Sequence, residues 1–412
     1  MRSVFLALCF LANLVYASAQ AGDTGEGIIT GVSVLGLKRT KPHIAEYPLR
    51  KFIGREAADL DIDEVRAAVI DTGILEPLSV EIGDAPSGEG KLLLVTVAEK
   101  WSIFPLPLVM VGSGGSSFGL FFLDANAFGL NDKFALGAMY GQQEWMGMLM
   151  YQNTPDREGV PGWNVTAMFN RKENQDVDRQ NRVLRSYNAD LIRAGLGISY
   201  PFTEYLSGSM NVSFSEIILR ESDTALLAPA KGARVLNFSP AVSIRDSDWD
   251  GYLLSQRSAS LTYTYGLGLI GASTHSVRFQ GVFEQSLVPG FRVNVRSGAL
   301  YNPLADSLAE SGPQAAQVDI LPRNFSARNY AGLSLGLEKY LLKFSQGTLS
   351  VLASYQVVYS QGPLSGDEFD HGVSGGIRFF LSKFAFPALG LGVAYNLSAA
   401  YFQYSFTMGM SF

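Results

Sequence analysis

From Trp101 to Phe412 apolar and polar positions alternate, and no helical period persists. In the final stretch Phe402, Tyr404, Phe406, Met408, Met410 and Phe412 share one face, while Gln403, Ser405, Thr407, Gly409 and Ser411 share the other. Leu389, Leu391, Val393 and Tyr395 repeat the pattern against Ala388, Gly390, Gly392 and Ala394. So do Leu261, Tyr263, Tyr265 and Leu267 against Ser260, Thr262, Thr264 and Gly266. A period of two belongs to a β-strand, whose successive side chains point to opposite faces. The pattern divides into sixteen strands, the first over 103–113, the twelfth over 329–341, the thirteenth over 347–360 and the last over 401–412. The longest connections fall at 172–186, 219–232 and 302–328, all on one side; on the other side only the 247–256 turn is long. An even count returns the chain to the side from which it started.

A soluble β-sandwich would alternate too, with its apolar face inward. The content of the polar face separates the two. Here that face is rich in Gly, Ser and Thr and carries isolated charges such as Arg292, Arg296 and Arg378. This suits a crowded polar lumen. A charge turned to lipid at mid-bilayer would cost about 2–4 kcal/mol, so these arginines are expected to face inward. The fold class expected is mainly β: a sixteen-stranded antiparallel transmembrane β-barrel over 101–412, preceded by one small α+β domain over 28–100.

That first domain has a different rhythm. Ile29 to Leu37 reads as a strand ending at Gly36. Pro42 opens a helix anchored by Ile44, Leu49 and Phe52 and stopped by Gly54. A second helix starts at Asp61, carries Ile62, Val65 and Val69 on one face, and ends near Gly73, where a left-handed cap suits glycine. Strands at Leu78–Ile82 and Leu92–Val97 follow, with Ala85-Pro86-Ser87-Gly88 turning between them. The order is β-α-α-β-β.

The N-terminus adds a compartment. Met1-Arg2, an apolar run from Val4 to Tyr16 and the small-x-small Ala17-Ser18-Ala19 read as a signal peptide over 1–19. The alternative is a short membrane anchor, which the brevity of the run and the polar sequence after it oppose. Cys9, the only cysteine, lies in this segment, so no disulfide frame, thiolate metal site or cysteine nucleophile is expected beyond it. Charged residues are 17%, aromatics 12%, and the net charge of -6 argues against a nucleic-acid partner. Mean hydropathy is +0.12 without a later run of apolar residues long enough for a membrane helix, as suits a barrel in which every second residue is apolar. The three histidines, His43, His275 and His371, have no metal-ligand spacing. A Ser–His hydrolase would need His275 or His371 beside a serine on the lipid face. No enzymatic activity, metal or cofactor is expected.

The order of the first domain resembles a POTRA domain, the periplasmic module of outer-membrane assembly proteins. Gly36 with Lys38-Arg39, the Thr72-Gly73-Ile74 turn and a closing strand ending in Glu99-Lys100 carry the resemblance; the alternative is an unrelated small α+β domain. A three-stranded sheet has open edges that can accept a client strand, and Leu78, Val80 and Ile82 mark the candidate edge. With sixteen strands and a long sixth outer loop, the whole resembles the BamA/TamA family of outer-membrane assembly barrels. In that family the sixth loop folds into the lumen and carries a Val/Leu-Arg-Gly-Phe/Tyr motif whose arginine meets carboxylates on strands twelve and thirteen. The match here is Arg323, Asn324 and Phe325, with Asn324 where glycine is expected; Arg328 and Tyr330 form the alternative. Asparagine is tolerated at positive φ. Glu338 matches the family's glutamate, and Ser360 falls where its aspartate stands.

The end of the chain resembles the signal by which the assembly machinery recognises barrels, through Phe406, Met408, Gly409 and Phe412. Pro105 and Pro107 in the first barrel strand, with Gly112 at its end, offer few ladder donors. They predict a weak seam with the last strand, which the family is thought to use as a lateral gate; alternatively the prolines merely precede the paired region. The resemblance implies client outer-membrane proteins, outer-membrane lipids and accessory periplasmic or lipoprotein partners, with the barrel in the outer membrane and the first domain in the periplasm. The function it implies is insertion or translocation of clients. A passive pore or structural surface barrel that kept the fold is the alternative.

Overall fold

The computed structural model describes residues 27–408, apart from 87, 113–114, 142–143, 154–159, 204, 225–230, 251–252, 304–311, 345–346, 363–365 and 382–388. The expected signal peptide, Gly409 and Phe412 lie outside these residues. The chain forms two compact units. One comprises the residues up to Lys38 together with Pro42–Glu99; the other comprises Arg39–Lys41 and the chain from Lys100 onward.

In the first unit β1 (Ile29–Leu35), α1 (Pro42–Glu46), α2 (Ile62–Ile70), β2 (Leu75–Asp84) and β3 (Lys91–Glu99) follow in order. Strand β3 is central, parallel to β1 and antiparallel to β2. The first helix is shorter than the sequence predicts, because the chain tightens into a 3-10 segment at Tyr47–Phe52. Pro48 explains the break: it has no N–H to return to the carbonyl four residues back. The anchors Ile44, Leu49 and Phe52 are nevertheless buried, as are Val65 and Val69 of α2, Leu93 and Val95 of β3. Asp61 caps α2 by accepting a 2.9 Å bond from the Asp63 N–H. Gly73, at φ +73, ends it in the left-handed region.

The second unit is a sixteen-stranded antiparallel sheet in which neighbours in sequence are neighbours in space. Its strands are β4 (Ile103–Gly112), β5 (Gly115–Ala127), β6 (Asp132–Gly141), β7 (Glu144–Gln152), β8 (Gly162–Val177), β9 (Val183–Pro201), β10 (Leu206–Thr224) and β11 (Ala233–Asp250). Then come β12 (Leu253–Ile270), β13 (Thr274–Val288), β14 (Phe291–Tyr301), β15 (Asn329–Phe344), β16 (Gly347–Gly362), β17 (Gly366–Leu381), β18 (Leu389–Asn396) and β19 (Tyr401–Met408). Among the described residues no helix is long and apolar enough to cross a membrane. Large apolar side chains such as Leu196, Leu261, Leu335 and Leu391 are exposed on the outer face, while Asn294, Ser334, Ser350 and Gln356 are buried on the inner one. Arg39 belongs to this unit and pairs with Asp124 of β5 through both guanidinium nitrogens.

Several strands run further than the hydrophobic pattern predicts. Of the 172–186 loop only 178–182 lies between strands, and the 219–232 loop shortens because β10 continues to Thr224. The 247–256 turn is ladder almost throughout, with Ser247 opposite Gln256 and Asp250 opposite Leu253. The backbone pairs whether or not its side chains are apolar. Alternation marks only the belt that needs an apolar face, and the ladders outrun it.

Candidate functional site

The inner wall of β13–β17 carries a buried ion network. Cross-strand register sets Arg292 of β14 directly opposite Glu338 of β15, on the face shared with Ser334 and Gly336. Arg292 bonds to Glu338 and, at 2.8 Å, to Glu284 of β13. Arg296, two inward positions along with Asn294 between, reaches Glu284 at 2.7 Å. Arg378 of β17 approaches Glu338 at 3.3 Å, and the Ser350 hydroxyl donates to Glu338 at 2.6 Å. Glu338 is 0% exposed. Two carboxylates thus hold three guanidiniums against the wall. A buried charge is tolerable only when so partnered. Gly336 makes room, since a Cβ there would lie 2.2 Å from the Asn294 side-chain oxygen.

The sixth outer loop occupies the lumen towards the opposite end. Its described part, 312–328, begins with a 3-10 turn at Pro313–Ala316 and buries Ala316, Val318, Ile320, Leu321 and Phe325. These pack with Val177 of β8, Leu300 of β14, Val358 of β16 and Ala394 of β18, so the loop touches several walls at once. Gly298 and Gly332, paired across β14 and β15, let its backbone lie flat on the sheet: a Cβ on either would sit 2.4 Å from the Ala315 or Ala316 carbonyl oxygen. Polar ties complete the seating. The Asp319 N–H donates to the Gln356 side chain at 2.7 Å, and the Gln403 amide of β19 donates to the Leu321 carbonyl at 2.9 Å. Phe325 forms a parallel bridge with Val177.

The expected contact between Arg323 and Glu338 is not made. The Phe325 N–H returns to the Pro322 carbonyl at 2.9 Å, and this tight turn buries Phe325 while leaving Arg323 and Asn324 exposed. Glu338 lies nine residues down β15, about 30 Å along a strand from the loop's return at Asn329, and its guanidinium partners are Arg292 and Arg378. Arg328 is exposed as well, whereas Tyr330 is buried and sets its ring edge-on to Phe325 at 6.3 Å. Ser360 stands opposite Tyr330, at the loop's end of the wall, rather than beside Glu338; its buried hydroxyl has no hydrogen-bond partner among the described residues. The hydroxyl that does meet Glu338 belongs to Ser350. Strand registry brings these groups together, and the spacing of residues around the glycine of strand thirteen does not reveal it. The sequence signals for the network were the arginines on the polar face and Glu338, which shares the parity of Ser334 and Gly336.

A second tie closes the same end of the lumen. Arg179, in the turn between β8 and β9, faces Glu368 at 3.6 Å and Asp370 at 3.7 Å on β17. Asp176 and Arg185 pair beneath that turn, both buried.

The two terminal strands of the sheet are β4 and β19, and no ladder joins them among the described residues. Pro105 and Pro107 lie within β4, opposite Phe122 and Leu120 of β5, so they do not precede the paired region. They have the same parity, hence both nitrogens point to one side, and the maintained ladder to β5 leaves them the open side. Gly112 ends the strand opposite Gly115. Phe406 and Met408 fall within β19, facing Leu391 and Leu389. In the small domain Leu78, Val80 and Ile82 lie on β2, an edge of the sheet. Leu78 is the extra residue of a bulge between Pro77 and Ser79 and is 62% exposed.

No family model matches the chain, and no curated protein does. Solved structures do. BamA from Haemophilus ducreyi, lacking POTRA domains 1-3, aligns over 94% of this chain and 85% of its own with a TM-score of 0.56 and 12% identity. CdiB from Acinetobacter baumannii aligns over 90% and 70%, with a TM-score of 0.60 and 13% identity. CdiB from Escherichia coli aligns over 95% and 89%, with a TM-score of 0.57 and 11% identity. At such identities the likeness is one of fold, and the chain has the sixteen-stranded barrel fold of BamA and CdiB.

Proposed function

We propose that this chain is an outer-membrane assembly or translocation factor that inserts or passes client proteins without catalysing a covalent reaction. The observation that carries the reading is the pair of terminal strands, β4 and β19, which no ladder joins among the described residues, beside a lumen in which the described part of the sixth loop is seated. An unpaired strand edge is a template for another strand. On β4 the prolines withhold two donors on that side, so an incoming strand would bind through fewer hydrogen bonds and leave more readily. The seated loop works against the alternative of an open passive pore.

The small domain supports the same reading. Its β-α-α-β-β order, with β3 between a parallel β1 and an antiparallel β2, suits a POTRA-like module facing the periplasm. Its β2 edge offers main-chain groups to clients, and the exposed Leu78 and Ile82 offer apolar contacts beside them. Outer-membrane lipid would surround the apolar exterior, and periplasmic or lipoprotein accessories would be further partners. Depletion of the protein, read by outer-membrane proteomics, is expected to lower the abundance of other barrels. Unchanged barrels together with large, stable single-channel openings would overturn the proposal in favour of a passive pore.

A further inference from the structure

The outer face of the barrel carries a second constellation of charges, far from the lumen network. On β9 the exposed residues Leu196 and Ile198 define the outer face, and Asp190 has the same parity with no bulge in between. Its direct partner on β8 is Arg171, so both point outward. On β10 the ladder opposite shifts between Leu219 and Glu221, and the extra residue is Arg220. The bulge re-aims that side chain. Arg171 reaches Asp190 at 2.6 and 3.0 Å, and Arg220 reaches it at 2.8 and 2.7 Å.

The Asp190 side chain is nearly covered, at 5% exposed, whereas the side chains of Arg171 and Arg220 are 41% and 52% exposed. Two cations are held side by side by one anion, leaving a net positive charge. Each guanidinium has five N–H donors, and Asp190 takes only two from each. Arg171 also lies 5.5 Å from the centre of the Trp145 ring, which fixes its plane from below.

The level of this clamp on the barrel gives it meaning. Towards mid-strand the same face is mostly apolar, with Phe169, Ile192 and Leu196; its charges begin one row deeper, where Glu216 opposite Ile192 pairs with Arg234 of β11, and continue at the clamp. In a barrel that spans a membrane this is the acyl–headgroup boundary, at the end of the barrel from which the sixth loop arises. Further out on the same face stand Glu173 and Glu221, both opposite Asn188. These carboxylates repel an extended polyanion but not a compact anion seated at the depth of the arginines. Paired, partly free guanidinium forks match the oxygens of a phosphate.

We propose that Arg171 and Arg220, positioned by Asp190, bind the phosphate monoester of an outer-leaflet glycolipid. The proposal rests on the reading of the chain as an outer-membrane barrel. Its test uses the full-length folded protein in detergent micelles, titrated with bisphosphorylated lipid A and followed by native mass spectrometry. The variants are R171Q and R220Q, each of which leaves Asp190 one arginine and so preserves the fold. Wild type is expected to retain the lipid, and each variant to bind it about tenfold more weakly. Enzymatically dephosphorylated lipid A should bind wild type as weakly. Equal retention by wild type and variants would overturn the proposal, as would equal binding of the dephosphorylated lipid. Displacement by millimolar inorganic phosphate would assign the site to the free anion and overturn the lipid assignment. Heat-modifiable mobility and insertion into liposomes, measured on the same samples, test the membrane-barrel reading separately: their loss in wild type would fail that reading, not the phosphate site alone.

Discussion

The small domain and the barrel use the same chemistry with opposite sign. In the first, Leu49, Phe52, Val65, Leu93 and Val95 are buried among themselves and charges such as Glu64, Arg55 and Lys51 stay at the surface. In the second, leucines and aromatics are exposed on the outer face while Glu338, Arg292 and Glu284 are buried against the inner wall. Alternation alone does not reveal which face is inside. The difference lies in what each surface must meet. A domain in water hides apolar area to gain about 25 cal/mol per Å². A barrel in lipid has no such incentive outward and must pair its charges inward.

The largest expected effect comes from E338Q. It leaves Arg292 and Arg378 without their shared carboxylate, and breaking a buried pair costs about 3–5 kcal/mol. The folded, heat-modifiable fraction of the barrel should fall and its protease resistance with it; unchanged gel mobility would show that the lumen network adds nothing. Next comes L93A in the small domain, where truncating a buried leucine costs about 2–5 kcal/mol. It should lower the melting temperature of that domain while the barrel keeps its heat-modifiable mobility, and a matching loss in both would deny that the two cores are independent.

The smallest effect concerns Glu64. Its burial opposes ionisation, but Arg55 and Lys51 beside it prevail and hold the carboxyl below its usual 4.5. A lowered folded pKa means that the carboxylate stabilises the domain above the unfolded value, and that this contribution disappears as pH falls through the folded one. E64Q should therefore lower stability at pH 7 by about 0.2–1 kcal/mol, as for other exposed pairs, and should match wild type in acid below that range. A constant gap across the whole range would exclude the ion pair as its cause.

The sequence carried the architecture well and the site only in part. Strand number and direction were legible because lipid demands an apolar residue at every second position. Glu338 could be placed on the inner face from its parity with Ser334 and Gly336. Its partners could not be, since Arg292 and Arg378 lie on other strands and only register brings them level. The sixth loop was visible as a long interruption. That it would seat Phe325 and expose Arg323 depended on the turn at Pro322 and on Gly298 and Gly332 across two strands.

By itself, the sequence determined the β-α-α-β-β domain, the sixteen strands and the face each strand turns to lipid, because these follow from local periodicity, turn chemistry and the apolar requirement of the bilayer. Only the tertiary structure decided that Arg179 crosses to β17, that Arg171 and Arg220 share Asp190, and that β4 and β19 stay unjoined among the described residues. Charge pairing and edge pairing depend on distances between strands remote in sequence, and no local pattern encodes those distances.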